Sequence, residues 1–180
     1  RRKRSNTMSN LLVQNIKHTN GTTALTVDSS GRVLQPSLPA FRVGLTSDFD
    51  VSSASTATTV VWDEGISSES NNCFNQGGFS WSSGVVTVPV AGVYSFALTA
   101  RVDNVGSGYV LMNIIKNNDL GYNKDFYSIE GSPSSDYQAI TGGGVFKLAA
   151  SDNVRVQVFA SADSSFMVEE ASIFSGFLVG

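Results

Sequence analysis

The chain has one cysteine, Cys73, and one histidine, His18. A single cysteine excludes an internal disulfide, so the fold must be held by burial or by association, and nothing points to an oxidising compartment. With its only imidazole near the N-terminus, the body of the protein has no Ser-His-Asp or Cys-His catalysis available, and no Cys/His zinc spacing. No apolar run approaches the roughly 20 residues needed to span a bilayer. No apolar segment follows the basic start, so no secretory signal is visible. Positive charge is also scarce. Four of the 12 basic residues are Arg1, Arg2, Lys3 and Arg4, leaving 8 basic against 15 acidic groups in the remainder, a balance of −7. A body that acidic repels a phosphate backbone and argues against nucleic-acid binding. Helical i, i+3, i+4 spacing is missing throughout.

What is present fits an all-β chain: 41% hydrophobic residues, 17 glycines and many Ser, Thr and Asn. The organising stretch is Phe79 to Val102. After Gly92, Tyr94, Phe96, Leu98, Ala100 and Val102 alternate with Val93, Ser95, Ala97, Thr99 and Arg101, which predicts a strand covered on one face. Pro89 and Gly92 make a corner before it. Further strands are predicted at Phe41 to Leu45, Val60 to Trp62, Tyr109 to Lys116, Tyr137 to Ala149, Val154 to Ala160 and Ile173 to Val179. Ser47 to Thr59, Ser67 to Gly78 and most of Gly121 to Asp136 read as loops. About ten short strands with turn signals between them predict a sandwich or jelly roll. The last strand is apolar on both faces, through Ile173, Phe174, Phe177, Leu178 and Val179. That pattern predicts either deep burial or a second face packed on another subunit.

Paired carboxylates are plentiful, as in Asp48/Asp50, Asp63/Glu64 and Glu169/Glu170, and on loops such pairs are usually solvated charge rather than glycosidase chemistry. Gly142-Gly143-Gly144 lacks the Lys-Ser/Thr and helix start of a phosphate loop, so a strand edge or tight packing explains it. No enzyme is expected.

Ahead of the β domain lie a basic tail (1–7), a small β leader (8–35) and a linker (36–39) bounded by Pro36 and Pro39. In the leader, Leu11, Val13 and Ile16 lie in one β-prone run and Leu25 and Val27 in another. Asn20-Gly21 between them predicts a type I′ hairpin turn, and Ser30-Gly31 marks a second turn before Arg32-Val33-Leu34. Strands this short cannot bury a core alone, so association must cover them.

The spacing Phe79, Val86, Gly92-Val-Tyr94-Ser-Phe96-Ala-Leu98 resembles the signature of the complement C1q/tumour-necrosis-factor-like domain, with Val86 and Leu98 at positions where that signature has aromatics. Ala40 to Thr46 is similar to the family's opening strand. Leu148 to Val158 is similar to its penultimate strand, with Ser151 in place of the usual glycine, and Ser172 to Val179 to its closing one. The resemblance covers residues 40–180 and implies a ten-stranded jelly-roll sandwich assembled as a homotrimer, with Tyr94, Phe96, Phe159 and Phe177 as candidate axis or core residues. Some relatives hold calcium near the top of the trimer; Asp125 and Asp136 fall in the comparable loops and are the candidate hard-oxygen ligands.

The leader resembles the start of virion structural proteins of marine bacteriophages, through Met8-Ser9, Val13 to Ile16, Gly21-Thr22, Asp28 to Val33 and Pro39-Ala40-Phe41. This implies a virion structural protein, assembled in the host cytoplasm and tied to other virion proteins through residues 8–35. It would act as a fibre tip, capsid decoration or host-attachment domain for a cell-surface glycan or protein. The alternative is a secreted, extracellular C1q-like recognition lectin of an animal, binding glycans or microbial surfaces; no Gly-X-Y or heptad stalk is seen that would favour it.

Overall fold

The computed structural model describes residues 12–53, 55–103, 109–117, 126–131 (backbone only), 137–161 and 165–180. No helix occurs among the described residues. The chain divides into two units, Arg1–Ser37 and Leu38–Gly180, and the division falls inside the 36–39 segment.

In the first unit, β1 (Asn15–Lys17), β2 (Thr23–Val27) and β3 (Val33–Leu34) form a three-stranded antiparallel sheet in that order. Its two turns share one design, and it differs from the two-residue type I′ turn that Asn20-Gly21 predicted. The His18 carbonyl accepts from the Gly21 N–H at 2.9 Å while the His18 N–H donates to the Thr22 carbonyl at 2.8 Å. The loop is therefore three residues long, with Gly21 in the left-handed region at φ +89°. The Asn20 side chain accepts the Thr22 N–H at 3.0 Å and so caps the turn instead of sitting in it with positive φ. The second turn repeats the pattern, with the Gly31 N–H on the Asp28 carbonyl at 3.0 Å and Gly31 at φ +79°. Asp28 accepts from the N–H groups of Ser30 and Arg32 and from Arg32 Nε at 2.6 Å.

The second unit holds thirteen described strands: β4 (Ala40–Gly44), β5 (Phe49–Val51), β6 (Thr58–Thr59), β7 (Phe74–Gln76), β8 (Ser80–Ser82), β9 (Val85–Thr87), β10 (Gly92–Asp103), β11 (Tyr109–Lys116), β12 (Phe126–Gly131), β13 (Tyr137–Leu148), β14 (Asn153–Ala160), β15 (Phe166–Val168) and β16 (Ile173–Leu178). One sheet runs β13-β10-β16-β4-β7, with β15 continuing the β16 edge of β10 and β5 paired to β15; the other runs β12-β11-β14-β9-β8, with β6 also beside β14. All pairs are antiparallel, as a jelly-roll sandwich requires.

Three of the additional strands, β5, β6 and β7, lie where loops were expected. Each has two or three residues and exists because a long neighbour offers a free edge, a tertiary effect that local pattern does not carry. The strand expected at Val60 to Trp62 is absent. The last ladder bond is the Val60 N–H on the Val156 carbonyl at 3.0 Å; beyond it Trp62 turns into the core, stacking on Phe174 at 5.9 Å between centroids. Val60 and Trp62 are both buried.

Between the sheets, Tyr94, Phe96, Leu98, Ala100 and Val102 of β10 face Val110, Met112 and Ile114 of β11 and the even-numbered valines of β14 in one continuous buried cluster. Phe41 is the hub of its aromatic half, with ring centroids 4.9 Å from Phe79, 5.0 Å from Trp81 and 5.2 Å from Phe174. Gly176 keeps room for these rings: a Cβ there would lie 2.5 Å from the Phe96 ring. The triple glycine runs through the centre of β13, opposite Phe96, Ala97 and Leu98, and a Cβ on Gly143 would lie 2.2 Å from the Phe96 carbonyl oxygen. Tight strand approach is thus the reason for the glycine at that position.

Candidate subunit-contact surface

The period-two alternation that buries Tyr94 and Phe96 sends the intervening residues outward. On the outer face of the β13-β10-β16-β4 sheet, Val145, Ser95, Phe177 and Ala40 lie side by side by register, and the next row is Gly143, Ala97, Ser175 and Arg42. Val145 is 69% exposed, Phe177 50% and Val179, beyond the end of β16, 59%. Large apolar groups therefore flank a centre of small side chains, with Arg42 and Lys147 at the margins of the face. Contiguous exposed apolar surface of this kind marks an interaction site more often than a neutral one.

The four aromatics proposed from sequence separate into three environments. Tyr94 (0% exposed) and Phe96 (2%) are in the core of the subunit itself, the second of the two places expected for them, and not on its outer face. The physical reason is that they share the inward face with Leu98 and Val102. They stack on each other at 6.2 Å, and the Tyr94 hydroxyl, kept protonated by burial, donates to the Val90 carbonyl at 2.8 Å. Phe177 is on the outer face. Phe159 is half-buried on the outer face of the opposite sheet, 6.1 Å from Tyr109. Asp125 and Asp136 lie outside the described residues, as does Leu11 of the leader.

Sequence reading missed Val145, hidden by the glycines before it, although its register opposite Ser95 is what places it beside Phe177. It also missed the polar end of the same face. There Arg101 donates through Nε to Glu169 at 2.6 Å, and its guanidinium lies 3.9 Å from the centroid of Tyr137. The Glu169 N–H and the Ser172 hydroxyl both bond the Arg101 carbonyl. Glu169 is buried, and burial pushes its pKa up; Arg101 opposes that, while Asp48, Asp103 and Glu170 add to it.

Three further carboxylates, Asp63, Asp48 and Glu64, tie loops together. Asp63 accepts from the N–H and hydroxyl of Thr46 at 2.8 and 2.6 Å, and Asp48 accepts the Glu170 N–H at 2.9 Å. Glu64 accepts from Ser70 and Asn71 on the wall of a crevice of about 550 Å³ that also reaches Cys73. Burial, then the charge of Glu64, pushes the Cys73 thiol up, which leaves it protonated and a poor nucleophile. Among the described residues no group of three His, Cys, Asp or Glu side chains is placed to hold a metal ion, and no helix is long and apolar enough to cross a membrane.

Comparison with known proteins places this geometry. The family model of the C1q domain matches residues 40–179. Among solved structures, the globular domain of zebrafish complement 1qA protein is similar at a TM-score of 0.56 and 20% identity, over 79% of this chain and 98% of that one. Murine APRIL, crystallised at pH 5.0, is similar at a TM-score of 0.55 and 18% identity, over 78% and 98%. A search of curated proteins returned no match. The family is one of binding and structural modules rather than enzymes, in keeping with carboxylates that are tied into the fold and a thiol that is buried. On the residues it matches and the sandwich it forms, the chain belongs to the C1q domain family.

Proposed function

We propose that three copies of this chain associate through the outer face of the β13-β10-β16-β4 sheet, and that the trimer is a structural component of a bacteriophage particle: a fibre tip, capsid decoration or host-attachment module. The observation that carries the trimer is the exposed set Val145, Phe177 and Val179 on one face of a C1q domain. Burying such half-exposed side chains contributes about 1 kcal/mol each, and the small side chains between them allow close approach of a sister sheet that would supply the rest of the contact. The likeness of residues 8–41 to virion leaders supports the particle, with assembly in the host cytoplasm and contact to other virion proteins through residues 8–35. The loops at the sandwich ends would meet a glycan or protein of the host surface, since recognition in such folds is grafted onto loops.

Sedimentation at micromolar concentration tests the trimer: a stable 19.1 kDa monomer overturns it. Electron microscopy of particles with and without the gene product tests the rest, where unchanged density and unchanged adsorption would remove the virion role.

A further inference from the structure

The leader sheet has two unlike faces. Pairing places Ile16 opposite Leu25 and Val33 opposite Val27, and Leu25 and Val27 share a face because they are two residues apart on one strand. One face is thus a continuous aliphatic patch of Ile16, Leu25, Val27 and Val33. The other carries Asn15 and Thr26, hydrogen-bonded at 2.8 Å, with Ala24 and Leu34. No described residue of the leader is buried: Ile16 is 50% exposed and Val33 60%. An amphipathic sheet of strands with three, five and two residues has, among the described residues, nothing of its own to cover its apolar side, and is only marginally stable in water in that state.

We infer that this aliphatic face is a second self-association surface, covered in the assembled protein by the same face of the two sister leaders. The inference rests on the threefold reading of the C1q domain. Three observations choose sister copies as the occupant. The leader is continuous with the domain: only Leu38 and Pro39 separate its last residue, Ser37, from β4, a strand of the sheet that would form the subunit contact. A trimer of domains therefore holds three identical leaders at an effective concentration on the order of millimolar, without further affinity. The four residues of the patch carry no charge, so identical faces do not repel. Finally, the two turns are locked locally, by the Asn20 cap and by the Asp28–Arg32 ion pair of 2.6 Å, so each leader has a preformed face to present. The other face, with Asn15, Thr26 and Leu34, and the edges of β1 and β3 stay available to the particle.

Site-specific cross-linking in the full chain tests this. Ile16→Cys and Val33→Cys place thiols on the aliphatic face, and Leu34→Cys places one of similar exposure on the opposite face. Under mild oxidation, covalent dimers are expected from the first two at a rate about tenfold or more above Leu34→Cys, because tethering raises the effective concentration of all three thiols alike and only the mutually covered face brings its thiols into contact. Adding Ile16→Asp to the Val33→Cys chain should abolish the cross-link while sedimentation still reports a trimer. Equal cross-linking from both faces, or a trimer whose Val33→Cys thiols do not cross-link, overturns the inference and leaves the domain trimer standing. A monomer by sedimentation overturns both. Thiols at Ile16 and Val33 that react freely with maleimide in the isolated trimer but are shielded in whole particles assign the face to another virion protein, which also overturns it.

Discussion

The two units of this chain solve the same problem in opposite ways. In Leu38–Gly180, strands as long as twelve residues close over a core in which Trp62, Tyr94, Phe41, Phe96 and Phe174 are all within 2% of complete burial. In Arg1–Ser37, strands of at most five residues leave every described apolar side chain in contact with solvent. Both follow the same alternation and both use left-handed glycine or capped turns. The difference is length: a sandwich needs two sheets wide enough to shield each other, and three short strands supply only one. The domain is therefore stabilised from within, which the three short strands of the leader cannot do for themselves.

That contrast can be broken in the domain first. Phe174→Ala removes a ring packed on Phe41, Trp62 and Phe96, and should cost about 3–5 kcal/mol, read as a fall in the denaturation midpoint. A cost under about 1 kcal/mol would mean that the aromatic cluster is not the core. Gly176→Ala drives a methyl group into the Phe96 and Phe41 rings and should cost about 1–3 kcal/mol by overpacking, visible in the same melt.

Asp152 offers a test through pH. It accepts from Asn117 Nδ2 at 2.7 Å, from the Ala149 N–H at 2.8 Å and from Lys116 Nζ at 2.9 Å. These, the Asn117 bond first, lower its pKa from 3.8 to about 2. A carboxylate with a depressed folded pKa contributes stability that is present above the unfolded value and lost as pH falls through the folded one. Acid titration of the wild type should therefore lose stability between about pH 4 and pH 2 to a degree that Asp152→Asn does not show. Parallel acid curves for the two proteins would rule this anchor out.

The smallest effects on subunit stability should come from the exposed faces, and they sharpen the comparison most. Phe177→Ser with Val145→Ser should leave the unfolding of an isolated subunit within about 0.5 kcal/mol while shifting sedimentation from trimer to monomer. Loss of folding instead of loss of assembly would place those side chains in the core. Ile16→Thr in the leader should change the melting of the domain by less than about 0.5 kcal/mol.

Much of this was legible in the residues because alternation is a local property. The grouping of Tyr94 to Val102 on one face, that of the even-numbered valines of β14 and the lack of helical spacing all follow from a period of two, which needs no knowledge of neighbours. The C1q resemblance lay in short spacings along the strands, within the residues 40–179 that the family model matches. The short strands β5, β6 and β7 were not legible, since two or three residues carry no periodicity and become strands only when a long neighbour presents an edge. Val60 to Trp62 misled for the converse reason: burial that continues past the last ladder bond, at Val60, looks like more strand.

The amino-acid sequence by itself determined that this protein is all-β, that its body lacks the histidine and cysteine chemistry of an enzyme, and that one face of each long strand is apolar. It could not say which apolar face points into the subunit and which points out of it. Tyr94 and Phe177 are equally aromatic, and Val145 and Val154 equally aliphatic. Only the registers of β13, β10 and β16 put Tyr94 inside beside Phe96 and set Val145 and Phe177 together on the surface. Cross-strand neighbours are distant in sequence, so the surface they build exists only once the sheet has formed.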